Sequence, residues 1–179
     1  MTNFKSLQTV TDMDLLVAFF DLSRFAREVQ GKTSREIFDY MNAYYEFVGD
    51  IIENADGTIV KFIGDAALIV FAEDEIDKGV LALKTLKDQG DAWLKARGAQ
   101  SYHRIKAHFG PVTCGPMGTK TDKRIDLFGE TVNIAATLTA NGFAMTPQVF
   151  RKLAPETRKL FKKHTPPITY IPVEETHRD

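Results

Sequence analysis

Hydrophobic and polar positions along the chain fall into blocks with two different periods. Leu15-Leu16-Val17-Ala18-Phe19-Phe20 is an unbroken apolar run closed by Asp21, short enough to read as a buried strand. Between Arg24 and Asn54 the spacing changes. Ile37, Phe38, Met41, Tyr44, Tyr45, Val48, Ile51 and Ile52 recur every three or four residues, as along one face of a helix. Thr33 followed by Glu36 forms a capping box that opens the longer of two helices there. After the turn residues Asn54-Ala55-Asp56-Gly57, two β-rich runs, 58–63 and 67–71, flank Gly64-Asp65 and predict a hairpin. Helical spacing returns from Glu75 to Gly98, with Val80, Leu81, Leu83, Leu86 and Trp93 on its apolar face. Tyr102 to Cys114 reads as a strand that turns near Gly110-Pro111. Polar residues Thr119 to Arg124 then lead into Ile125-Asp126-Leu127-Phe128-Gly129 and a helix from Glu130 to about Ala140. Two further helical pieces, Pro147–Leu153 and Pro155–Phe161, precede a strand over Ile168–Val173.

The order β α α β β α β, then α and β, predicts an α+β fold: an antiparallel sheet with helices packed on one face. No repeat or linker divides the chain. One domain over residues 1–179, with its core at about 15–173, is the expectation, and 179 residues suffice for a proper core. Apolar residues make up 44% and charged residues 26%, which excludes a disordered or fibrous chain. A net charge of −1, with no basic-aromatic strand pattern, disfavours a nucleic-acid partner. No apolar run, Leu15–Phe20 included, approaches a membrane span, and Met1–Leu15 has no apolar core of the kind a secretory leader needs. The single cysteine, Cys114, excludes an internal disulfide and fits a reducing, cytoplasmic setting.

Two acidic residues stand out by context: Asp21 at the end of an apolar strand and Asp65 at the tip of an apolar hairpin. Either alone reads as a residue that solvates a turn. If the hairpin lies beside the first strand, both carboxylates reach one edge, where they repel unless a cation lies between them. Hard oxygen ligands of this kind suit Mg2+ or Mn2+ and the two-metal transfer of phosphoryl or nucleotidyl groups.

Three stretches carry a resemblance: Phe19-Phe20-Asp21-Leu22, Lys61-Phe62-Ile63-Gly64-Asp65 and Ile125-Asp126-Leu127-Phe128-Gly129-Glu130-Thr131-Val132-Asn133. With His108–Val112 and the Gly115–Gly118 turn, they resemble the signature segments of class III adenylate and guanylate cyclases, over about 15–161. The resemblance implies a ferredoxin-like palm and two active sites across a head-to-tail dimer. The reaction it implies is attack of a ribose 3′-hydroxyl on the α-phosphate of a nucleoside triphosphate. By the same resemblance Asp21 and Asp65 hold two Mg2+ or Mn2+ ions, and Leu22 lends a main-chain carbonyl. Lys61 and Asp126 read the base from the partner subunit, a pairing suited to the adenine of ATP. Asn133 orients the ribose, Arg104 binds phosphate, and Phe25 lies among the substrate-contacting residues. Each has a simpler reading alone: a solvent-facing lysine, a turn cap for Asp126, a helix-start residue for Asn133.

The pattern breaks at three places. Where the resembling family has arginine four residues after the asparagine, this chain has Thr137, which offers neither a cation nor a fork of donors. Ser23-Arg24-Phe25-Ala26 replaces the usual glycine and threonine of the phosphate-facing turn, with Arg24 as a candidate substitute cation. No Gly-Lys pair aligns in the tail, where Lys162 and Lys163 are the nearest basic residues. Two functions therefore stand side by side. One is an adenylate cyclase homodimer. The other is a cyclase-like nucleotide-binding or regulatory domain, inactive alone or dependent on a heterodimer partner. The Gly-Gly-acidic hairpin of diguanylate cyclases is absent.

Overall fold

The computed structural model describes residues 4–177. Along the chain come β1 (Thr11–Leu22), α1 (Phe25–Glu28), α2 (Ser34–Glu53), β2 (Thr58–Ile63), β3 (Ala66–Ala72), α3 (Ile76–Ala96) and β4 (His103–Gly118). They are followed by β5 (Lys123–Phe128), α4 (Glu130–Thr137), β6 (Phe143–Met145), α5 (Pro147–Lys152), α6 (Pro155–Arg158), β7 (Phe161–His164) and β8 (Thr169–Pro172). The sheet order is β2-β3-β1-β4-β6-β8-β7, with β5 paired to β4 off this path. The β2-β3-β1-β4 part, with α2 and α3 as its two connections, is the βαββαβ arrangement of a ferredoxin-like palm.

The sheet is mixed rather than purely antiparallel, because β4 and β6 run parallel over Ile105–Ala107. Helices also cover both faces, not one. Leu16, Ala18, Phe20 and Leu22 pack with Tyr44, Val48 and Ile52 of α2 and Val80, Leu83 and Leu86 of α3. Leu15 and Val17 turn the other way, toward Leu68, Val70, Val112, Cys114, Leu127 and Ala135 of α4. Two-sided burial is why Leu15–Phe20 lacks the polar-apolar alternation of a half-solvated strand.

The two helices expected between Arg24 and Asn54 are α1 and α2. Gly31, at φ +81°, breaks the chain between them, and Thr33 and Glu36 form the expected reciprocal cap on α2. The hairpin turns on Gly64 at φ +61°, the backbone demand that glycine meets without a Cβ clash. β4 does not turn at Gly110-Pro111 but continues to Gly118. Pro111 falls where β4 lacks a second neighbour, since β6 pairs only as far as Ala107 and β5 begins at Thr113. α4 ends at Thr137, short of Ala140, and Phe161 starts a strand instead of closing a helix. β6 and β7 are three and four residues long, too short for periodicity to register.

Candidate active site

Strand alternation places the chemistry. On β1, Asp21 shares the parity of Leu15, Val17 and Phe19 and so faces the α4 side. On β4, Ile105, Ala107 and Phe109 enter the α2–α3 core, which leaves Arg104, Lys106 and His108 on the α4 side. Antiparallel register sets Asp21 opposite Arg104 and Phe19 opposite Lys106. Arg104 Nε donates to Asp21 Oδ1 at 2.6 Å, and Lys106 Nζ lies 4.0 Å from Oδ2. Asp65, at the hairpin tip beside β1, accepts the Leu22 N–H on Oδ2 at 3.3 Å. The two carboxylates thus reach one edge, one on β1 and the other bonded to the residue after it. Tyr45 holds the tip: its hydroxyl donates to the Gly64 carbonyl at 2.6 Å, and its ring stacks on Phe62 at 3.7 Å.

This donor set fits a hard divalent cation: two half-buried carboxylates beside the main chain of buried Leu22. Among the described residues no three His, Cys, Asp or Glu side chains converge. An ion there would keep most of its positions for water and substrate oxygens, as Mg2+ does. Asp21 already draws two side-chain cations, the behaviour of a carboxylate set where positive charge is favoured.

Farther along the same face, Lys61 from β2 meets Asp126 from β5. Their Nζ–Oδ2 distance is 2.5 Å, and Asp126 Oδ1 accepts the N–H of Leu127 at 2.9 Å. The pair is open to solvent on its lysine side, 41% exposed. On α4, Asn133 is exposed, while the Thr137 hydroxyl donates back to the Asn133 carbonyl at 2.7 Å. That hydroxyl is satisfied within its own helix and extends no donor outward. Thr131 Oγ1 donates to the Pro111 carbonyl at 2.7 Å and pins the start of α4 to β4.

The turn after Asp21 departs from the resembling pattern in an accountable way. Ser23 closes the turn on Tyr102 through both its N–H and its hydroxyl. Arg24 sits at φ +60°, a left-handed conformation that glycine adopts at less strain. Phe25 packs against the α2–α3 core. Lys162 donates to the Val173 carbonyl at 2.8 Å, and both it and Lys163 lie exposed on β7, at the far end of the sheet from Asp65.

Two features of β4 went unread in the sequence. Lys106 is one; the alternation Arg104-Ile105-Lys106-Ala107-His108-Phe109 is the signal that exposes it. The other lies on the opposite, α2–α3 face of β4, a hydrogen-bonded trio around buried His103. His103 Nδ1 bonds Asp91 Oδ1 at 2.8 Å, and His103 Nε2 bonds the Tyr44 hydroxyl at 2.6 Å. A cleft of about 530 Å³ opens at the other end of β1, among Met13, Asp14, Glu53 and Asp56, away from these groups.

A sequence model of the adenylate and guanylate cyclase catalytic domain matches residues 7–165. Human guanylyl cyclase C is 29% identical over 140 residues, 74% of this chain and 13% of that protein. Adenylate cyclase 1 of Rhizobium meliloti is 22% identical over 134 residues, 70% of this chain and 20% of that protein. The chain therefore spans a small part of the length of these relatives. Among solved structures, the adenylyl cyclase CyaB from P. aeruginosa superimposes with a TM-score of 0.74 at 19% identity, covering 96% of this chain and 98% of that one, a likeness of fold. No helix among the described residues is long and apolar enough to cross a membrane. With the family match covering most of the chain, this protein belongs to the adenylate and guanylate cyclase catalytic domain family.

Proposed function

We propose that the whole chain acts as one catalytic domain that converts ATP to cyclic AMP and pyrophosphate. The observation that carries this reading is the meeting of Asp21 and Asp65 at one edge of the sheet, 43 residues apart between Leu22 and Asp65. Residues freed from catalysis have no reason to keep two carboxylates there. The reaction forms a bond from the ribose 3′-oxygen to the α-phosphorus and breaks the bond to the bridging oxygen of pyrophosphate. The 3′-hydroxyl proton leaves to solvent.

Asp21, Asp65 and the Leu22 carbonyl would hold two Mg2+ or Mn2+ ions. When bound, such ions neutralise the phosphates and favour the ionised 3′-oxygen. Arg104 donates to phosphoryl oxygens, and Asn133 orients the ribose. Lys61 donates to adenine N1, and Asp126 accepts from the 6-amino group. Guanine reverses both edges, with an N–H at N1 and an acceptor at position 6, so this arrangement disfavours GTP. The open position of Lys61 and Asp126 on a sheet face, not in a cleft, supports a site completed by a second copy of the chain.

Thr137 supports a second reading, a domain that binds nucleotide but depends on a partner for turnover. Its hydroxyl is committed to Asn133 and offers nothing to a phosphate. Assay of the purified chain with ATP and GTP, in Mg2+ and then Mn2+, separates the two. The first reading expects cyclic AMP that Asp65→Ala abolishes. It also expects a gain of about 10²-fold in Thr137→Arg, the worth of one preorganised transition-state donor. Product from no version, with nucleotide binding retained, establishes the second.

A further inference from the structure

We infer that the Tyr45 hydroxyl is a positioning group for Asp65, and that it sets how strongly the site favours Mg2+ over the larger, less demanding Ca2+. The inference rests on the metal-binding part of the cyclase reading above and gives a part to a residue that reading leaves unused. Tyr45 lies on α2, outside the strands and the hairpin that bear the two carboxylates. Its hydroxyl nevertheless donates to the Gly64 carbonyl at 2.6 Å, across 19 residues of sequence.

That carbonyl belongs to the peptide unit joining Gly64 to Asp65. Ile63 pairs with Ala66, so Gly64 and Asp65 are the whole loop of the hairpin. A peptide unit between two loop residues can swing about its ends with little movement of the strands, and glycine lacks the Cβ that would resist. Gly64 stands at φ +61°. Apart from its chain neighbours, no described atom lies within 4 Å of where a Gly64 Cβ would be. Packing on Gly64 therefore does not restrain the swing, and the hydroxyl from α2 does. The ring that delivers this hydroxyl is itself fixed. It stacks on Phe62 at 3.7 Å, 4° from parallel, and packs against the α2–α3 core. Asp65 has a weaker hold of its own, since its bond from the Leu22 N–H is long at 3.3 Å. Mg2+ demands near-octahedral geometry at about 2.0–2.1 Å, whereas Ca2+ accepts flexible arrangements at about 2.3–2.6 Å. A carboxylate whose aim drifts thus costs Mg2+ more than it costs Ca2+.

The experiment compares the full chain with Tyr45→Phe, which keeps the stacked ring and loses the hydroxyl. Thr33→Ala, which removes the cap of the same helix away from the site, is the control. Mg2+ and Ca2+ are each titrated by calorimetry without nucleotide, and unfolding in urea is followed alongside. Tyr45→Phe is expected to weaken Mg2+ binding by about tenfold, the upper end of one hydrogen bond's net worth, and Ca2+ binding by about twofold or less. Thr33→Ala is expected to lower the urea midpoint and leave the ratio of the two affinities as in wild type. In the cyclic AMP assay, the half-activating Mg2+ concentration of Tyr45→Phe should rise by about the same tenfold, with kcat at saturating Mg2+ within about twofold of wild type. An unchanged Mg2+ to Ca2+ ratio in Tyr45→Phe overturns the inference and leaves the cyclase reading standing. An equal shift of the ratio in Thr33→Ala also overturns it, because the hydroxyl would then act through the stability of α2. Should the wild-type chain bind neither ion, the metal reading and the inference fall together. Should it bind them and make no cyclic nucleotide, the cyclase reading alone fails, and the calorimetric ratio still judges Tyr45.

Discussion

At the scale of single residues, the Lys61–Asp126 pair shows how a contact can matter to function and little to stability. Both groups keep solvent contact, and exposed ion pairs contribute about 0–1 kcal/mol. Replacing Asp126 by alanine should therefore leave the unfolding midpoint in urea nearly unchanged. The same variant should lose about tenfold or more of its preference for ATP over GTP, because a hydrogen bond to a charged group is worth roughly 1.5–3 kcal/mol. Competition between the two nucleotides in one assay reads that ratio directly. An unaltered ratio would remove Asp126 from base recognition. Cys114 stands at the opposite extreme: burial pushes its thiol up to about 11, with Asp12 and Asp126 adding to the effect, so it is a packing residue of the α4-side core.

At the scale of elements, β4 organises the site because one strand carries both faces of its chemistry. Arg104 and Lys106 face the α4 side beside Asp21, while His103 points into the α2–α3 side and is fully buried. There it links Tyr44 of α2 to Asp91 of α3. Burial would raise the Asp91 carboxyl, but hydrogen bonds from the side chains of His103 and Lys87 and from the His103 N–H outweigh it and leave the carboxyl lowered. A carboxyl lowered in the folded state contributes stability above its unfolded value of about 3.9, lost as pH falls through the folded value. His108, lowered by burial against a smaller upward pull from Glu130, acts in the same sense at higher pH. Its contribution is present above about 6.5 and is lost on acidification. Stability should thus fall in two acid steps. His108→Asn should flatten the slope between about pH 7 and 5. Asp91→Asn should flatten the step below about pH 4 while lowering stability at neutral pH by about 1–3 kcal/mol. Urea midpoints across that range check both, and parallel curves for wild type and variants would contradict them.

At the scale of the whole molecule, the proposed site needs a second chain, and β4 and β5 carry the features suited to meeting one. Phe128 and Met117 are 55% and 52% exposed there, large apolar side chains on the pair of strands that presents Asp126. Exposed apolar groups on strands bearing a binding residue point to contact with another surface. Phe128→Glu should give a monomer by sedimentation and little cyclase activity, and wild-type specific activity should fall on dilution. Activity independent of concentration, in a chain that stays monomeric, would refute the dimeric site. What the amino-acid sequence determined by itself was local. The capping box at Thr33 and the Gly64-Asp65 hairpin are written in neighbouring residues. So are the helical faces of α2 and α3, and the segments that bear Asp21, Asp65, Lys61, Asp126 and Asn133. Where turn chemistry competed with pairing, as at Pro111, local signals misled, because the gap that accommodates a proline exists only once β5 and β6 are placed. Tertiary structure alone decided that helices cover both faces, that Arg104 reaches Asp21 across 83 residues of sequence, and that Lys106 reaches both Asp21 and the end of α4. The physical reason is register: which residues face each other across two strands distant in sequence is set by packing on both sides of the sheet, and a one-residue slip would turn each of these side chains to the opposite face.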